Sequence, residues 1–216
     1  MLQNSWLIPL FPLLSFVLLL IFRKSKSEGT AWIGVLLTGL SLILSIGVWI
    51  AVWQGDGIKV EGTWFEIGER AITMGYEVNP LNALMLVIVS LVSFLVHLYS
   101  KGYMHGDDRF PVFFAYLGLF SFAMLGLVLS PNLLQLYMFW ELVGLGSFLL
   151  IGFYYFKPEA KAAAKKAFVM TRIGDVGLFI GMILLFWQVG SFEYDEIFAS
   201  VRNGDISSGM LTLTAL

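Results

Sequence analysis

An acidic side chain stands in the middle of an apolar run. Glu141 lies within Leu136-Tyr-Met-Phe-Trp-Glu-Leu-Val-Gly-Leu-Gly146, ten residues after Pro131. A helix that starts near Pro131 carries this carboxylate ~15 Å along its axis, about half the thickness of a bilayer core. A carboxylate at that depth costs at least ~2.5 kcal/mol to insert. The position indicates proton transfer, with a polar contact between two helices as the structural alternative.

Two further charges lie inside the next apolar run. Arg172 and Asp175 are one helical turn apart and able to pair. Together with Lys165 and Phe168 they follow i, i+3, i+7 and i+10 spacing, which predicts one stripe on a helix. The spacing predicts a buried pair, and leaves open whether that pair is structural or moves protons.

Three more ionisable residues are candidates for proton transfer. Lys165 and Lys166 precede Arg172 and Asp175 along the chain. They either take part in proton transfer or only anchor the helix at the cytoplasmic surface. His97 lies near the end of the third apolar run, where an imidazole passes protons near neutral pH or is simply an interfacial polar residue.

The composition defines the class of protein that holds these charges. Hydrophobic residues make up 58% of the 216 residues and charged residues 13%, against ~25% charged in soluble domains. A membrane protein is therefore expected. The net charge of -2 implies no nucleic-acid partner, and two distant histidines without cysteine predict no metal site. The chain contains no glycine-rich phosphate loop or nucleophile–base pattern, so we expect no bond-breaking chemistry in it.

The apolar runs predict an all-α membrane protein, because the bilayer core requires helices of roughly 20 residues. The six predicted spans are 5–22, 30–53, 80–100, 110–130, 132–156 and 160–189. Period-two alternation around Gly62 predicts a short hairpin, and residues 191–203 predict an amphipathic interfacial helix. Residues 209–216 read as the start of a seventh helix, so the sequence is expected to be the N-terminal fragment of a longer protein.

The charges of the loops predict the orientation. Residues 157–166 carry four lysines and one glutamate, whereas residues 54–79 carry two basic and five acidic residues. Because Lys and Arg are in excess on the cytoplasmic side, loops 23–29, 101–109 and 157–166 are predicted to face the cytoplasm. The N-terminus and the hairpin are then outside.

Several separated motifs resemble one known family. The motifs are Phe113-Phe-Ala-Tyr-Leu, the run from Asn132 to Gly144, Ser147-Phe-Leu-Leu-Ile-Gly-Phe-Tyr-Tyr155, and Lys166-Ala-Phe-Val-Met-Thr-Arg-Ile-Gly-Asp175. In this order, over about residues 76–200, they resemble the antiporter-like L subunit of bacterial respiratory complex I, an NADH–quinone oxidoreductase. The resemblance implies a two-helix segment at 1–79 and the first part of a proton-translocation domain at 80–216.

The resemblance also implies roles for the charged residues. Glu141 corresponds to a fifth-helix glutamate that pairs with a lysine on a broken seventh helix, beyond Leu216. Arg172 and Asp175 correspond to a sixth-helix charged pair, and Lys166 to a lysine before Ala-Phe. At Asn79-Pro80 the sequence departs from the family, which usually has Asp-Gly there.

The whole protein implied by the resemblance is a multi-pass subunit of the bacterial inner membrane that helps to pump protons. Its partners are other antiporter-like membrane subunits of complex I. The FMN, iron–sulfur clusters and quinone of such a complex lie in partner subunits, and no cofactor is expected in this chain.

Three other classes of membrane protein remain open. Trp140-Glu141 also occurs in the large subunit of multisubunit cation/proton antiporters, and a related subunit serves inorganic-carbon uptake complexes. The runs Gly144–Gly152 and Thr171–Asp175 favour complex I. A membrane scaffold without transport is disfavoured by the three charges Glu141, Arg172 and Asp175.

Overall fold

Six long helices dominate the structure. The computed structural model describes residues 2–24, 28–55, 57–67 and 70–215. Within that part of the chain, six helices are long and apolar enough to cross a membrane. They are α1 (Leu7–Ile21), α2 (Ala31–Trp53), α3 (Pro80–Tyr103), α4 (Phe110–Val128), α5 (Leu133–Ile151) and α6 (Pro158–Val189). All six predicted spans are confirmed.

Asparagine and proline residues define where the helices begin. The side chains of Asn79 and Asn132 precede α3 and α5, and accept hydrogen bonds from the backbone N–H groups of Asn82 and Gln135 at 2.8 and 2.9 Å. Each satisfies a backbone donor that the helix itself leaves unpaired. Asn79, where the sequence departs from the pattern of the family it resembles, is therefore a helix cap.

The core lies between α1, α2, α3 and α4. Helix α1 packs on α2 and α4, and α2 packs on α3. One buried cluster includes Ile8, Val48, Leu86 and Leu125, and a second is centred on Phe114. Helices α5 and α6 extend this bundle in sequence, α5 against α4 and α6 against α5, and bury far fewer side chains.

A hairpin joins α2 to α3. Strand β1 (Ile58–Ile67) pairs antiparallel with β2 (Arg70–Val78), with Ile58 opposite Val78. The predicted hairpin is confirmed, and Gly62 lies inside β1 opposite Met74. The alternation shifts between Thr63 and Phe65, where the register shows a bulge. The connection at 68–69 lies outside the described residues.

Two shorter helices follow α6. Helix α7 (Tyr194–Asn203) confirms the predicted amphipathic helix and buries Ile197. Helix α8 (Ser208–Ala215) begins where the seventh helix was predicted and packs on α6. The backbone of α8 comes so close that a side chain on Gly181 would meet the carbonyl oxygen of Thr214 at 3.1 Å.

A polar cluster fastens the hairpin to the segment before α7. Lys59 on β1 contacts Glu193 at 2.9 Å and Glu61 at 3.0 Å. The hydroxyl of Thr73 on β2 donates to Glu193, and the amide of Asn132 donates to the carbonyl oxygen of Thr73 at 3.0 Å. We name these five residues the hairpin cluster.

The first turn of α5 is also bound to β2. The side-chain oxygen of Gln135 accepts from the N–H of Gly75 at 2.9 Å, and its amide donates to the Gly75 carbonyl at 2.8 Å. The backbone N–H of Leu133 donates to the carbonyl of Phe192 at 3.0 Å. The hairpin, α5 and the start of α7 therefore form one hydrogen-bonded unit.

The two acids of the hairpin cluster are perturbed in opposite directions. Burial raises the pKa of Glu61, and its hydrogen bond to Glu193 raises it further. Burial acts in the same direction on Glu193, but hydrogen bonds from Glu61, Thr73 and Lys59 outweigh it and hold the pKa of Glu193 below its usual 4.5. Glu193 is thus the member that stays ionised beside Lys59.

Removal of the Glu61 carboxylate should make the contribution of Glu193 to the pH dependence of stability measurable by itself. A group whose pKa is lowered by folding stabilises the fold above its ordinary pKa, and that stabilisation is lost as the pH falls. In Glu61→Gln, the protection of the backbone amides of residues 58–67 and 70–78 against hydrogen exchange should therefore fall below about pH 4.5.

Glu61→Gln combined with Glu193→Gln should lose this pH dependence. Glu61→Gln combined with Glu66→Gln is the matched control, since Glu66 is an exposed acid of the same strand outside the cluster. Equal pH dependence in the two double variants would contradict the assignment to Glu193.

Candidate functional site

One arginine lies between two carboxylates on neighbouring helices. The guanidinium of Arg172 on α6 forms an ion pair with the Glu141 carboxylate on α5. Its Nη1 atom is also 3.5 Å from Oδ2 of Asp175, and Nη2 donates to the Glu141 carbonyl oxygen at 3.5 Å. The predicted pairing of Arg172 with Asp175 is confirmed, and the structure adds Glu141 to it.

Asp175 is the most enclosed member of this site. Its side chain is 8% exposed, against 26% for Glu141 and 30% for Arg172. The indole Nε1 of Trp140 donates to Oδ1 of Asp175 at 2.7 Å. The sequence analysis did not predict this hydrogen bond of Trp140. A buried indole N–H usually has a hydrogen-bond acceptor, and its position beside Glu141 was the available signal.

The positions along the helices place the site at mid-span. Glu141 is the ninth of 19 residues in α5, and Arg172 is the fifteenth of 32 in α6. The Phe168 ring lies one turn before Arg172, with its centroid 4.7 Å from the guanidinium carbon. Gly144 also lies close to the guanidinium, since a side-chain carbon there would be in ordinary van der Waals contact with Nη2 of Arg172 at 3.8 Å.

The other predicted residues lie away from this site. Lys165 and Lys166 are exposed on α6, about 9–10 Å along the helix axis from Arg172. Lys165 lines a cavity of about 340 Å³ together with Arg109 and Lys161. Of the predicted stripe, Phe168, Arg172 and Asp175 are joined by contacts at this site, whereas Lys165 lies nearer the start of the same helix.

His97 belongs to the core of the α1–α4 bundle. Its side chain is fully buried, and Nδ1 is 2.8 Å from the carbonyl oxygen of Ser93. The ring packs edge-on against Phe114 at 5.8 Å between centroids. His97 is thus an internal residue, in contrast to the interfacial alternative.

The geometry allows one cation to be shared between two acids. Arginine keeps its charge in proteins, so it neutralises whichever carboxylate it approaches. The carboxylates of Glu141 and Asp175 reach this one guanidinium from neighbouring helices, so a small movement of Arg172 changes which of the two it neutralises. Two carboxylates can exchange protons without breaking other bonds, so the arrangement is chemically able to support proton transfer.

Comparisons with known proteins agree with this fold. Residues 64–114 match the family model described as NADH-Ubiquinone oxidoreductase (complex I), chain 5 N-terminus. Residues 130–216 match NADH:quinone oxidoreductase/Mrp antiporter, TM. The chain belongs to the antiporter-like membrane subunits of the complex I family.

Within that family the similarity is to chain or subunit 5. The chain is 42% identical over 209 residues to the chloroplastic NAD(P)H-quinone oxidoreductase subunit 5 of Chlorokybus atmophyticus, covering 93% of this chain and 32% of that protein. It is 43% identical over 218 residues to chain 5 of a Picosynechococcus species, covering 95% and 33%. The chain thus spans about a third of the length of these curated relatives.

A solved structure shares the fold. The membrane-bound sulfane sulfur reductase, an archaeal respiratory membrane complex, contains a chain that superposes with a TM-score of 0.81 at 17% identity. The match covers 98% of this chain and 42% of that one. This similarity supports the helical architecture alone.

Loss of the shared cation should destabilise the α5–α6 pair. Arg172→Gln leaves two carboxylates facing each other in an apolar bundle, and we expect a loss of about 1–3 kcal/mol after allowance for partial exposure. Thermal unfolding of the chain in detergent measures it. Adding Glu141→Gln to Arg172→Gln should recover part of the loss, because one unpaired charge is then removed.

Lys166→Gln is the matched control for this experiment. It also removes one positive charge from α6, at an exposed position, and should leave the unfolding temperature nearly unchanged. Equal destabilisation by Arg172→Gln and Lys166→Gln would contradict the ion-pair assignment.

Proposed function

We propose that the chain forms part of a proton-translocating membrane subunit of an NADH–quinone oxidoreductase. In this function, quinone reduction elsewhere in the complex drives protons through buried charged residues. The observation that carries the proposal is the Arg172 guanidinium between Glu141 and Asp175 at the middle of two membrane-spanning helices. The similarity to chain 5 relatives over most of this chain supports it.

The proposed element has two states. In the first, Arg172 lies against Glu141, as in the structure. In the second, the guanidinium closes on Asp175, which Trp140 already orients at 2.7 Å. Glu141 then loses its nearest cation and takes up a proton in its place. Return of Arg172 expels that proton, so motion of one charge is coupled to uptake and release.

A lysine from a further helix is the proposed trigger. The family pattern expects such a lysine to pair with Glu141, and it would replace Arg172 as the partner of that carboxylate. A change of charge at a neighbouring site shifts this exchange and moves the proton onward. Lys165 and Lys166, at the predicted cytoplasmic end of α6, are the proposed proton-access residues.

The redox chemistry is assigned to partner subunits. FMN, iron–sulfur clusters and quinone are proposed to lie there, and this chain contributes transport without redox steps. Its proposed partners are other antiporter-like membrane subunits, and its proposed location is a bacterial inner membrane. The enzyme is thus the whole translocating oxidoreductase, of which this chain is a non-redox part.

The competing function is the large subunit of a cation/proton antiporter. The description of the second matched family names both kinds of protein, whereas both relatives compared are quinone oxidoreductase subunits. Affinity purification from native membranes separates the two proposals. NADH-oxidising subunits that contain flavin should copurify, and copurification of only small membrane antiporter subunits would contradict the complex I assignment.

Neutralisation of Glu141 should reduce proton pumping. In the intact complex reconstituted into liposomes, Glu141→Gln keeps the size of the side chain and removes its ability to cycle between charged and neutral forms. We expect the pH gradient formed on NADH oxidation to fall by at least about tenfold, since one proton-transfer step is lost.

NADH oxidation by an artificial acceptor should remain normal in the same preparation, because flavin chemistry lies elsewhere. Glu159→Gln, an exposed acid in the first turn of α6, is the matched control and should pump normally. Undiminished pumping by Glu141→Gln would refute the role given to this residue.

A further inference from the structure

A cavity of about 340 Å³ lies where α4 and α6 begin and α5 ends. Three of the side chains that line it are cations, namely Arg109, Lys161 and Lys165. The other lining residues are uncharged, and they are Tyr116, Phe148, Leu149, Gly152, Tyr155 and Ala164. A cavity lined by three positive charges and no acid attracts an anion.

The guanidinium of Arg109 is held in place by the end of α5. Its Nη1 donates to the carbonyl oxygen of Phe153 at 2.6 Å. Its central carbon lies 4.8 and 4.7 Å from the ring centroids of Phe153 and Tyr155. A guanidinium has five N–H donors in a planar fork, so one bond to a carbonyl leaves most of them for a ligand. Such a fork matches the paired oxygens of a phosphate group.

The two lysines of the cavity come from α6. Lys161 and Lys165 are the fourth and eighth residues of that helix, and residues four apart share one helix face. Within the part of the chain that the structure describes, no ion pair involves Arg109 or either lysine. Asp107, two residues before Arg109, accepts instead from the hydroxyl of Tyr154 at 3.0 Å. The three cations therefore have no carboxylate partner.

The depth of the cavity favours a lipid over a soluble anion. Arg109 directly precedes α4 and Tyr155 follows the end of α5, so the polar part of the lining lies at the level of the lipid headgroups, where tyrosine is common. Tyr116 is the seventh residue of α4, and Phe148 is the fourth from the end of α5. The aromatic and aliphatic part of the lining thus extends from the headgroup level into the apolar core.

We propose that this cavity binds one phospholipid with an anionic headgroup, whose phosphate lies between Arg109, Lys161 and Lys165. Basic pockets between membrane-spanning helices bind such headgroups on the cytoplasmic side, which is the side predicted for these helix ends. The acyl chains lie against Phe148 and Leu149. A zwitterionic phospholipid has the same phosphate, but its ammonium group is repelled by the three cations. The lipid joins α4 to α6 across the end of α5.

Lipid binding at this site does not depend on the proposed transport function. Lys165 has a proposed part in proton access as well, so the cations chosen for the tests are Arg109 and Lys161. The measured quantity is binding of the lipid, which is separate from pumping.

Photocrosslinking in the intact complex tests the site. The purified complex is reconstituted in phosphatidylcholine liposomes with a small fraction of a probe lipid that has a diazirine on its first acyl carbons. We expect a phosphatidylglycerol probe to label residues 109–116, 148–155 and 161–165, and a phosphatidylcholine probe to label them several-fold less. The labelling should persist in excess inorganic phosphate at constant ionic strength. Equal labelling by the two probes, or displacement by inorganic phosphate, would overturn the proposal.

Two variants assign the cations. Lys161→Gln changes an exposed residue and should lower labelling by the phosphatidylglycerol probe about fivefold, the factor expected for one basic residue at an anionic surface. Labelling by the phosphatidylcholine probe should not change. Arg109→Gln should lower phosphatidylglycerol labelling at least as much, because the fork that binds phosphate is lost.

Lys157→Gln is the matched control. It removes a lysine from the same end of α6, outside the cavity lining, where the ammonium lies 5.2 Å from the ring centroid of Tyr154. Labelling by the phosphatidylglycerol probe should stay close to that of the unmodified protein. Full labelling in Lys161→Gln, or an equal loss in Lys157→Gln, would overturn the proposal.

Discussion

A permanent positive charge in the middle of two membrane-spanning helices constrains how those helices pack. The Arg172 guanidinium needs acceptors close by, since lipid supplies none. The acceptors are the carboxylate and carbonyl of Glu141 on α5 and the carboxylate of Asp175 on its own helix. Trp140 closes the set from α5 to α6. These polar contacts define the register between the two helices.

Apolar contacts between the same two helices include two aromatic pairs, Tyr137 with Phe179 and Phe148 with Phe168, whose ring centroids are 5.5 and 5.2 Å apart. Helix α5 buries only Gln135 and Gly146, and α6 buries only Ala164, Asp175 and Met182. Helices α1 to α4 are different, because they bury two hydrophobic clusters and many serines bonded to their own helices. Helices α1 to α4 thus enclose a buried apolar core, whereas α5 and α6 meet through ion pairs and aromatic contacts and leave most of their side chains uncovered.

The sequence predicted the elements better than their contacts. Span lengths and the Arg172–Asp175 spacing follow from helix geometry, so both could be predicted. The hairpin also follows from the alternation around Gly62, but the bulge between Thr63 and Phe65 does not, because it depends on how β2 pairs with β1. The contact of Arg172 with Glu141 depends on how two helices are rotated against each other, which composition does not encode. The burial of His97 was missed for the same reason.

The hydrogen bonds at the start of α5 have a mechanical consequence for Glu141. Gln135 holds the first turn of α5 to Gly75 through two hydrogen bonds, and Asn132 holds it to Thr73. A helix bound at one end can tilt about that end, whereas a shift along its own axis would break all of these hydrogen bonds together. Glu141 lies six residues beyond Gln135, a short lever arm of ~9 Å. Small tilts of α5 therefore move the Glu141 carboxylate sideways, towards Arg172 or away from it. Its depth in the bilayer stays nearly constant.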